Sequence, residues 1–247
     1  MMRILLGGSF DPVHHGHLAT AEAVRHLLHA SAVTLLPAAR SPFKQHSTAD
    51  YHRLAMLRAA LVDYPSLTLD ERELHRPPPS YTVDTLRAVR QEIGPYTPLV
   101  WVMGSDTLVD LVQWKEWQSL TQLAHLLVVE RANHQMPTTG AAIDWLTSLP
   151  LAHEVDQLQC CASGLWLPIT LPPQPFSSTD IRRQLGQHHA TTTKPEGLPL
   201  RVWQYILEHH LYAFDEIKDS PRKKNPLPKA HHSPSSSTLW TISKRRT

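Results

Sequence analysis

Gly7-Gly8-Ser9-Phe10-Asp11-Pro12-Val13-His14-His15-Gly16-His17 stands between the apolar run Ile4-Leu5-Leu6 and a stretch whose apolar residues recur at helical spacing. Two glycines and two spaced histidines therefore sit where a strand hands over to a helix. Such a junction suits phosphate. A residue without a Cβ lets the backbone approach a bulky anion, and a helix N-terminus offers unpaired N–H groups and a positive dipole end. His14 and His17 are three residues apart and share one face of a first turn, so both rings can aim at one ligand, with Gly16 leaving room for it. The string is neither a GxGxxG fingerprint nor a Walker A loop, because no Gly-Lys-Ser/Thr follows. A histidine pair at this spacing is also an ordinary surface feature, so the pair alone does not decide function.

The whole string resembles the G-G-[ST]-F-D-P-x-H-x-G-H signature of the nucleotidyltransferases, and the chain as a whole resembles the bacterial nicotinate-nucleotide adenylyltransferases over about residues 2–213. The resemblance implies a Rossmann-like, doubly wound α/β fold with a parallel sheet. It further implies transfer of AMP from ATP to nicotinate mononucleotide, which belongs to NAD biosynthesis.

At 247 residues the chain is long enough for one sizeable domain with a tail. No uncharged apolar run approaches the length of a membrane span, and the N-terminus lacks a signal peptide's apolar region, so cytoplasm is the default compartment. The cysteines Cys160 and Cys161 are adjacent, which strains a mutual disulfide and makes no zinc site; they read as reduced, structural thiols. From Asp215 onward eight Lys/Arg face three acids, giving +5, so the net +2 of the chain leaves −3 for residues 1–214. The basic character is a property of the tail and does not argue for a nucleic-acid-binding domain. The expected organisation is a nucleotidyltransferase domain over 1–213 and a basic, disordered tail over 214–247, since the tail has no period and few large apolar groups. Oligomeric state is left open, a homo-oligomer included.

Periodicity predicts a helix over about 16–29, strands at Ala32–Pro37 and Leu67–Leu69, and a helix from Asp50 to Val62 with Leu54, Leu57 and Leu61 on one face and Arg53 and Arg58 on others. Between them Lys44 lies just past the end of a strand, where ligands of open α/β sheets bind; a solvated loop lysine is the plainer reading, and in the family a basic residue here approaches the ATP phosphates. Ser80-Tyr81-Thr82 precedes a helix from Val83 to about Glu92, and the Ser80 or Thr82 hydroxyl suits its N-cap. The resemblance adds that this segment sits beside the nicotinate end of the mononucleotide, assigning Tyr81 and Thr82 to it. Pro98–Met103 reads as the fourth strand. Gly104-Ser105-Asp106 follows, where glycine permits close approach and aspartate can cap a short helix over 107–111 or accept ribose hydroxyls; the family aspartate touches the nucleotide.

Trp114 reads from its residue type as half-buried packing, whereas the matching family tryptophan lies under the nicotinate ring. Lys115 departs from the aromatic residue usual in the family, and a lysine there can pair with the carboxylate of the acid form of the base. His125–Arg131 is the fifth strand, and the resemblance brings Arg131 to the ATP side. From 132 to 164 the pattern weakens, with a helix over 141–149 and a last strand over 165–169. Phe176-Ser177-Ser178-Thr179-Asp180-Ile181-Arg182 is either a plain capped helix or a phosphate site, hydroxyls and a forked cation at a helix start suiting both. It resembles the family's I-S-[ST]-T-x-I-R motif, which holds the ATP β- and γ-phosphates and assigns Ser178, Thr179 and Arg182 to them. A final helix over 198–211 carries Leu200, Trp203 or Val202, Ile206 and Leu207 as its stripe.

Taken together, the resemblance makes His14, His17, Lys44 and Arg182 the catalytic donors, with Gly7, Gly8, Ser9, Phe10, Gly104, Asp106 and Arg131 also on ATP. No acid cluster suggests a metal cage, so Mg2+ is expected to arrive on the ATP phosphates. Alternatives are another enzyme with the same histidine motif, such as a pantetheine-phosphate adenylyltransferase or a cytidylyltransferase, and a non-catalytic nucleotide-binding regulator whose tail contacts nucleic acid.

Overall fold

Six short runs of apolar residues become six parallel strands: β1 Arg3–Gly8, β2 Val33–Pro37, β3 Leu67–Leu69, β4 Leu99–Gly104, β5 His125–Glu130 and β6 Trp166–Thr170. They form one sheet in the order β3-β2-β1-β4-β5-β6. This computed structural model describes residues 2–39, 48–77, 79–130, 136–172, 174–187 and 193–212. The chain divides into Met1–Phe214 and Asp215–Thr247; the tail expected over 214–247 lies outside the described residues.

Parallel strands need crossovers, and helices supply them. α1 His15–Leu27 joins β1 to β2, α2 Asp50–Leu61 joins β2 to β3, and α3 Thr82–Ile93 joins β3 to β4. α4 Leu120–Leu123 precedes β5, α5 Ala141–Ser148 lies between β5 and β6, and α6 Ser178–Gln187 and α7 Leu200–Glu208 follow β6. Side chains alternate across each strand, so the sheet buries two layers. Ile4, Leu6, Leu35, Val102 and Val129 meet Leu18 and Val24 of α1, Met56 and Leu57 of α2, and Val202, Trp203 and Ile206 of α7. Leu5, Leu36, Trp101, Met103 and Val128 meet Val83 and Leu86 of α3 and Leu146 of α5.

Register places the C-terminal ends side by side: Gly8 pairs with Pro37 of β2, and Leu6 with Val102 of β4. Because order reverses at β1, the connections leaving β1 and β4 diverge to opposite faces. That opens a crevice at their C-terminal ends.

Several local expectations are corrected. On α2, Leu54 and Leu61 are only half-buried, while Arg53 is buried with Met56, Leu57 and Ala60. Charge does not keep Arg53 out, because it finds enough acceptors: Nη1 donates to Ser9 O at 2.6 Å, Nη2 to Ala38 O and Asp50 Oδ1 at 2.7 Å each, and Nε to Thr48 O at 3.2 Å. On α7, Leu200 and Leu207 face outward at 61% and 49% exposure; Val202, Trp203 and Ile206 carry the buried stripe instead. The α3 cap is Tyr81, with no side-chain bond from Ser80 or Thr82. Cys160 and Cys161 are free but exposed, so they have no structural role in a core. Among the described residues no helix is long and apolar enough to cross a membrane.

Arg53→Met keeps the stem volume and removes every donor, leaving the carbonyls of Ser9, Ala38 and Thr48 without their partner. Urea unfolding is expected to show a loss of about 3 kcal/mol; a loss below about 1 kcal/mol would mean that water replaces the guanidinium at no cost.

Candidate active site

Helix α1 starts on imidazole. His14 is its N-cap, extended at φ −145° and ψ 168°, and its Nδ1 accepts from Gly16 N at 3.1 Å. His17 Nδ1 accepts in return from His14 N at 3.3 Å, completing a capping box. Because each Nδ1 is an acceptor, a neutral ring carries its proton on Nε2, which makes Nε2 a donor. The two ring centroids lie 3.7 Å apart, and the edge of Phe10 supports His17 at 5.0 Å.

This arrangement revises three sequence expectations. The first N–H groups of α1 are not left for a ligand: His15 N bonds Gly197 O at 2.8 Å, Gly16 N bonds His14, and His17 N bonds His14 O at 2.9 Å. Anion binding at this terminus therefore falls to the dipole and side chains. Gly16 makes room for His14 rather than for a ligand, since a Cβ there would lie 2.9 Å from His14 Nδ1. Gly7 and Gly8 similarly serve packing, because added Cβ atoms would meet Trp101 Cη2 at 2.4 Å and Phe10 Cζ at 3.0 Å.

The crevice at the strand reversal holds a cavity of about 330 Å³. Gly7, Gly8, Ser9, Phe10 and His17 line it, as do Gly104 at the end of β4, Asp106 just past it, and Tyr81, Thr82, Trp114 and Lys115. Residues that the family assigns to two substrates thus line one continuous space. Asp106 is exposed and does not cap the 3-10 turn Ser105–Val109, whose N-cap is Gly104. Trp114 is half-buried.

Lys115 Nζ lies 2.9 Å from Asp84 Oδ2 and 5.0 Å from the centre of the Tyr81 ring. The same carboxylate receives Arg87 Nη1 at 3.4 Å, and Arg87 also pairs with Glu116. The ammonium therefore enters the wall already partnered.

His14 does not line this cavity. It borders a smaller one with Gly16, Thr20, Glu130, Gln174 and Phe176, and Thr20 faces both. Ser178, Thr179 and Arg182 stand at the same loop from the other side: Ser178 Oγ donates to Pro12 O at 3.0 Å, Arg182 Nη1 to Asp11 O, and Arg182 Nη2 to Thr179 Oγ1 at 3.3 Å. Lys44 and Arg131 lie outside the described residues.

Sequence reasoning passed over Glu73. It is 4% exposed, lines the cavity, and accepts from Thr85 Oγ1 at 2.7 Å, while Arg76 Nη1 donates to that hydroxyl at 3.0 Å. Burial pushes its carboxyl above the ordinary range, against the opposing pull of the Thr85 bond and the Arg76 charge. Its only signal was a glutamate ahead of a proline run, which no periodicity marks as buried. Trp101, Thr20 and Gln113 also line the cavity and were not singled out from the sequence.

Residues 5–184 match the cytidylyltransferase-like family. A protein of Hahella chejuensis named "Probable nicotinate-nucleotide adenylyltransferase" is 39% identical over 211 residues, covering 85% of this chain and 94% of that one. One of the same name from Marinobacter nauticus is 40% identical over 186 residues, with coverage of 75% and 86%. Among solved structures, a Plasmodium falciparum nicotinic acid mononucleotide adenylyltransferase complexed with NaAD superposes with a TM-score of 0.66 at 19% identity, covering 86% of this chain and 98% of that one, a likeness of fold.

Because the folded-state pKa of Glu73 is raised, the native protein binds this proton more tightly than the unfolded chain. Stability therefore declines as pH rises from the ordinary glutamate value through the raised one. Thermal melts taken upward from the ordinary glutamate range are expected to show Glu73→Gln gaining on the wild type as pH rises, and levelling off once the carboxyl has ionised in the folded protein. A constant difference at every pH would give Glu73 the same pKa in both states.

Proposed function

The chain belongs to the cytidylyltransferase-like family and, within it, to the nicotinate-nucleotide adenylyltransferases, and on that premise we propose that it transfers AMP from ATP to nicotinate mononucleotide. The products are nicotinate adenine dinucleotide and pyrophosphate. The observation that carries this reading is the cavity at the β1/β4 reversal, lined jointly by the phosphate-loop residues Gly7–Phe10, by His17, and by Tyr81, Thr82 and Trp114. At about 330 Å³ it lies at the lower end of small-ligand sites, and its aromatic wall suits a flat, electron-poor ring.

A phosphate oxygen of the mononucleotide attacks the α-phosphorus of ATP in line; a P–O bond forms, the Pα–O–Pβ bond breaks, and the electron pair leaves with pyrophosphate. The attacking oxygen is already ionised, so no side chain has to remove a proton. The protein's part is alignment and positive potential. His17 contributes Nε2–H beside the cavity, its ring held by His14 N–H behind and Phe10 at its edge. His14 borders the smaller cavity and Arg182 bonds the same loop at Asp11 O; in this reading both serve the triphosphate. Lys44 and Arg131 add charge in this reading through the family match alone.

Mg2+ enters as part of the MgATP substrate. Of the two carboxylates in the cavity wall, Glu73 is committed to Thr85 and Asp106 is exposed; neither makes a cage, which suits an ion carried on phosphate oxygens and water. Thr82 and Trp114 hold the base, and Lys115 sits where a base carboxylate would reach it only in competition with Asp84.

Pyrophosphate release with MgATP should be rapid with nicotinate mononucleotide and slow with its amide. His17→Ala should lower kcat by about 10²–10³ with an unchanged melting temperature. Lys115→Met should alter the acid-to-amide preference by no more than about fivefold, because Asp84 already screens this exposed cation. Release with neither mononucleotide would overturn the reading and make pantetheine phosphate the next acceptor to test.

A further inference from the structure

Asp11 lies in the middle of the phosphate loop, 6% exposed. Its carboxylate is bonded from two distant parts of the chain: Oδ1 accepts from the Tyr212 hydroxyl at 2.6 Å and Oδ2 from Thr48 N at 3.1 Å. Arg182 bonds the same residue at its main-chain oxygen, while the carboxylate takes its two bonds from Tyr212 and Thr48. That is unusual company. A buried carboxylate beside a forked cation ordinarily takes a bidentate pair with it.

Tyr212 explains the separation. Its backbone is left-handed at φ 61°, and its hydroxyl reaches the loop at Asp11. Burial, and then the Asp11 charge, push its phenol far above the ordinary range, so the hydroxyl remains a donor wherever the protein is folded. We propose that Tyr212 is a positioning residue for adenylyl transfer: by filling the Asp11 carboxylate it keeps Arg182 on the main-chain side of the loop and directed at the triphosphate. Without that hydroxyl the carboxylate has one donor fewer, and Arg182 is the cation already in reach. Tyr212 lines neither of the two cavities at the loop and acts through Asp11. The inference rests on the reading of Arg182 as a phosphate donor.

The test is steady-state pyrophosphate release by the full chain as wild type, Tyr212→Phe, Asp11→Asn and the double variant, each with a melting temperature. Tyr212→Phe is expected to lower kcat about tenfold and raise KM for ATP, with KM for nicotinate mononucleotide unchanged within about twofold. In the double variant the charge that draws Arg182 away is gone, so kcat should return to within about threefold of Asp11→Asn alone. A Tyr212→Phe variant with wild-type kcat and KM overturns the proposal, as does a folded double variant no faster than Tyr212→Phe. Should Tyr212→Phe fail to fold, the double variant carries the same comparison against Asp11→Asn. A wild type that releases no pyrophosphate with either mononucleotide removes the functional reading itself, and this inference with it.

Discussion

Everything at this site depends on how the first turn of α1 satisfies its own backbone. A helix start leaves several N–H groups without partners, and the usual solution is a short hydroxyl or carboxylate cap. Here two imidazoles do it, each Nδ1 taking one main-chain N–H. The substitution has two effects at once. It closes the helix terminus to direct backbone contact with an anion, and it fixes the orientation of two rings so that their remaining nitrogens are donors. A motif that looks like a place for phosphate to sit on bare backbone is instead a mounting for side chains.

The mounting is held from outside the helix. Gly197 takes the first N–H, Arg53 binds the carbonyls of Ser9 and Ala38, and Arg182 and Ser178 bind those of Asp11 and Pro12. Two buried or half-buried arginines thus serve a loop whose own sequence is mostly small or apolar. Arg53 shares its charge with Asp50, whereas Arg182 bonds a neutral carbonyl and a hydroxyl, so of the two it is Arg182 that keeps charge to offer an anionic substrate.

Much of this was legible in the sequence. Six apolar runs and the helical periods between them define the strands and most helix limits, because a parallel sheet covered on both faces gives continuous apolar runs and a helix buried on one face gives period 3.6. The cavity wall was legible where motifs run along the chain, as in Gly7–Phe10, Tyr81-Thr82 and Trp114-Lys115. Illegible were the residues whose roles come from pairing across long separations. Arg53 reads as a solvent-facing charge until its acceptors, which come from three other segments, are assembled around it. Glu73 takes its place through Thr85, and Tyr212 through Asp11, some two hundred positions earlier. Leu200 and Leu207 fail in the other direction: helical period marks them as apolar, but α7 turns only a narrow stripe inward.

The contact between Gly7 and Trp101 bears on how this site can change over generations. A methyl group at position 7 would lie 2.4 Å from an indole that is itself 4% exposed and packed in the core layer beneath the cavity, so position 7 cannot vary first. Only after the residue at 101 had become smaller would a larger one at 7 be tolerated, and by then the cavity floor would have changed shape. The two positions form one heritable unit with a fixed order of substitution, and a lineage in which the tryptophan had first been replaced would have an altered acceptor pocket before its phosphate loop began to diverge.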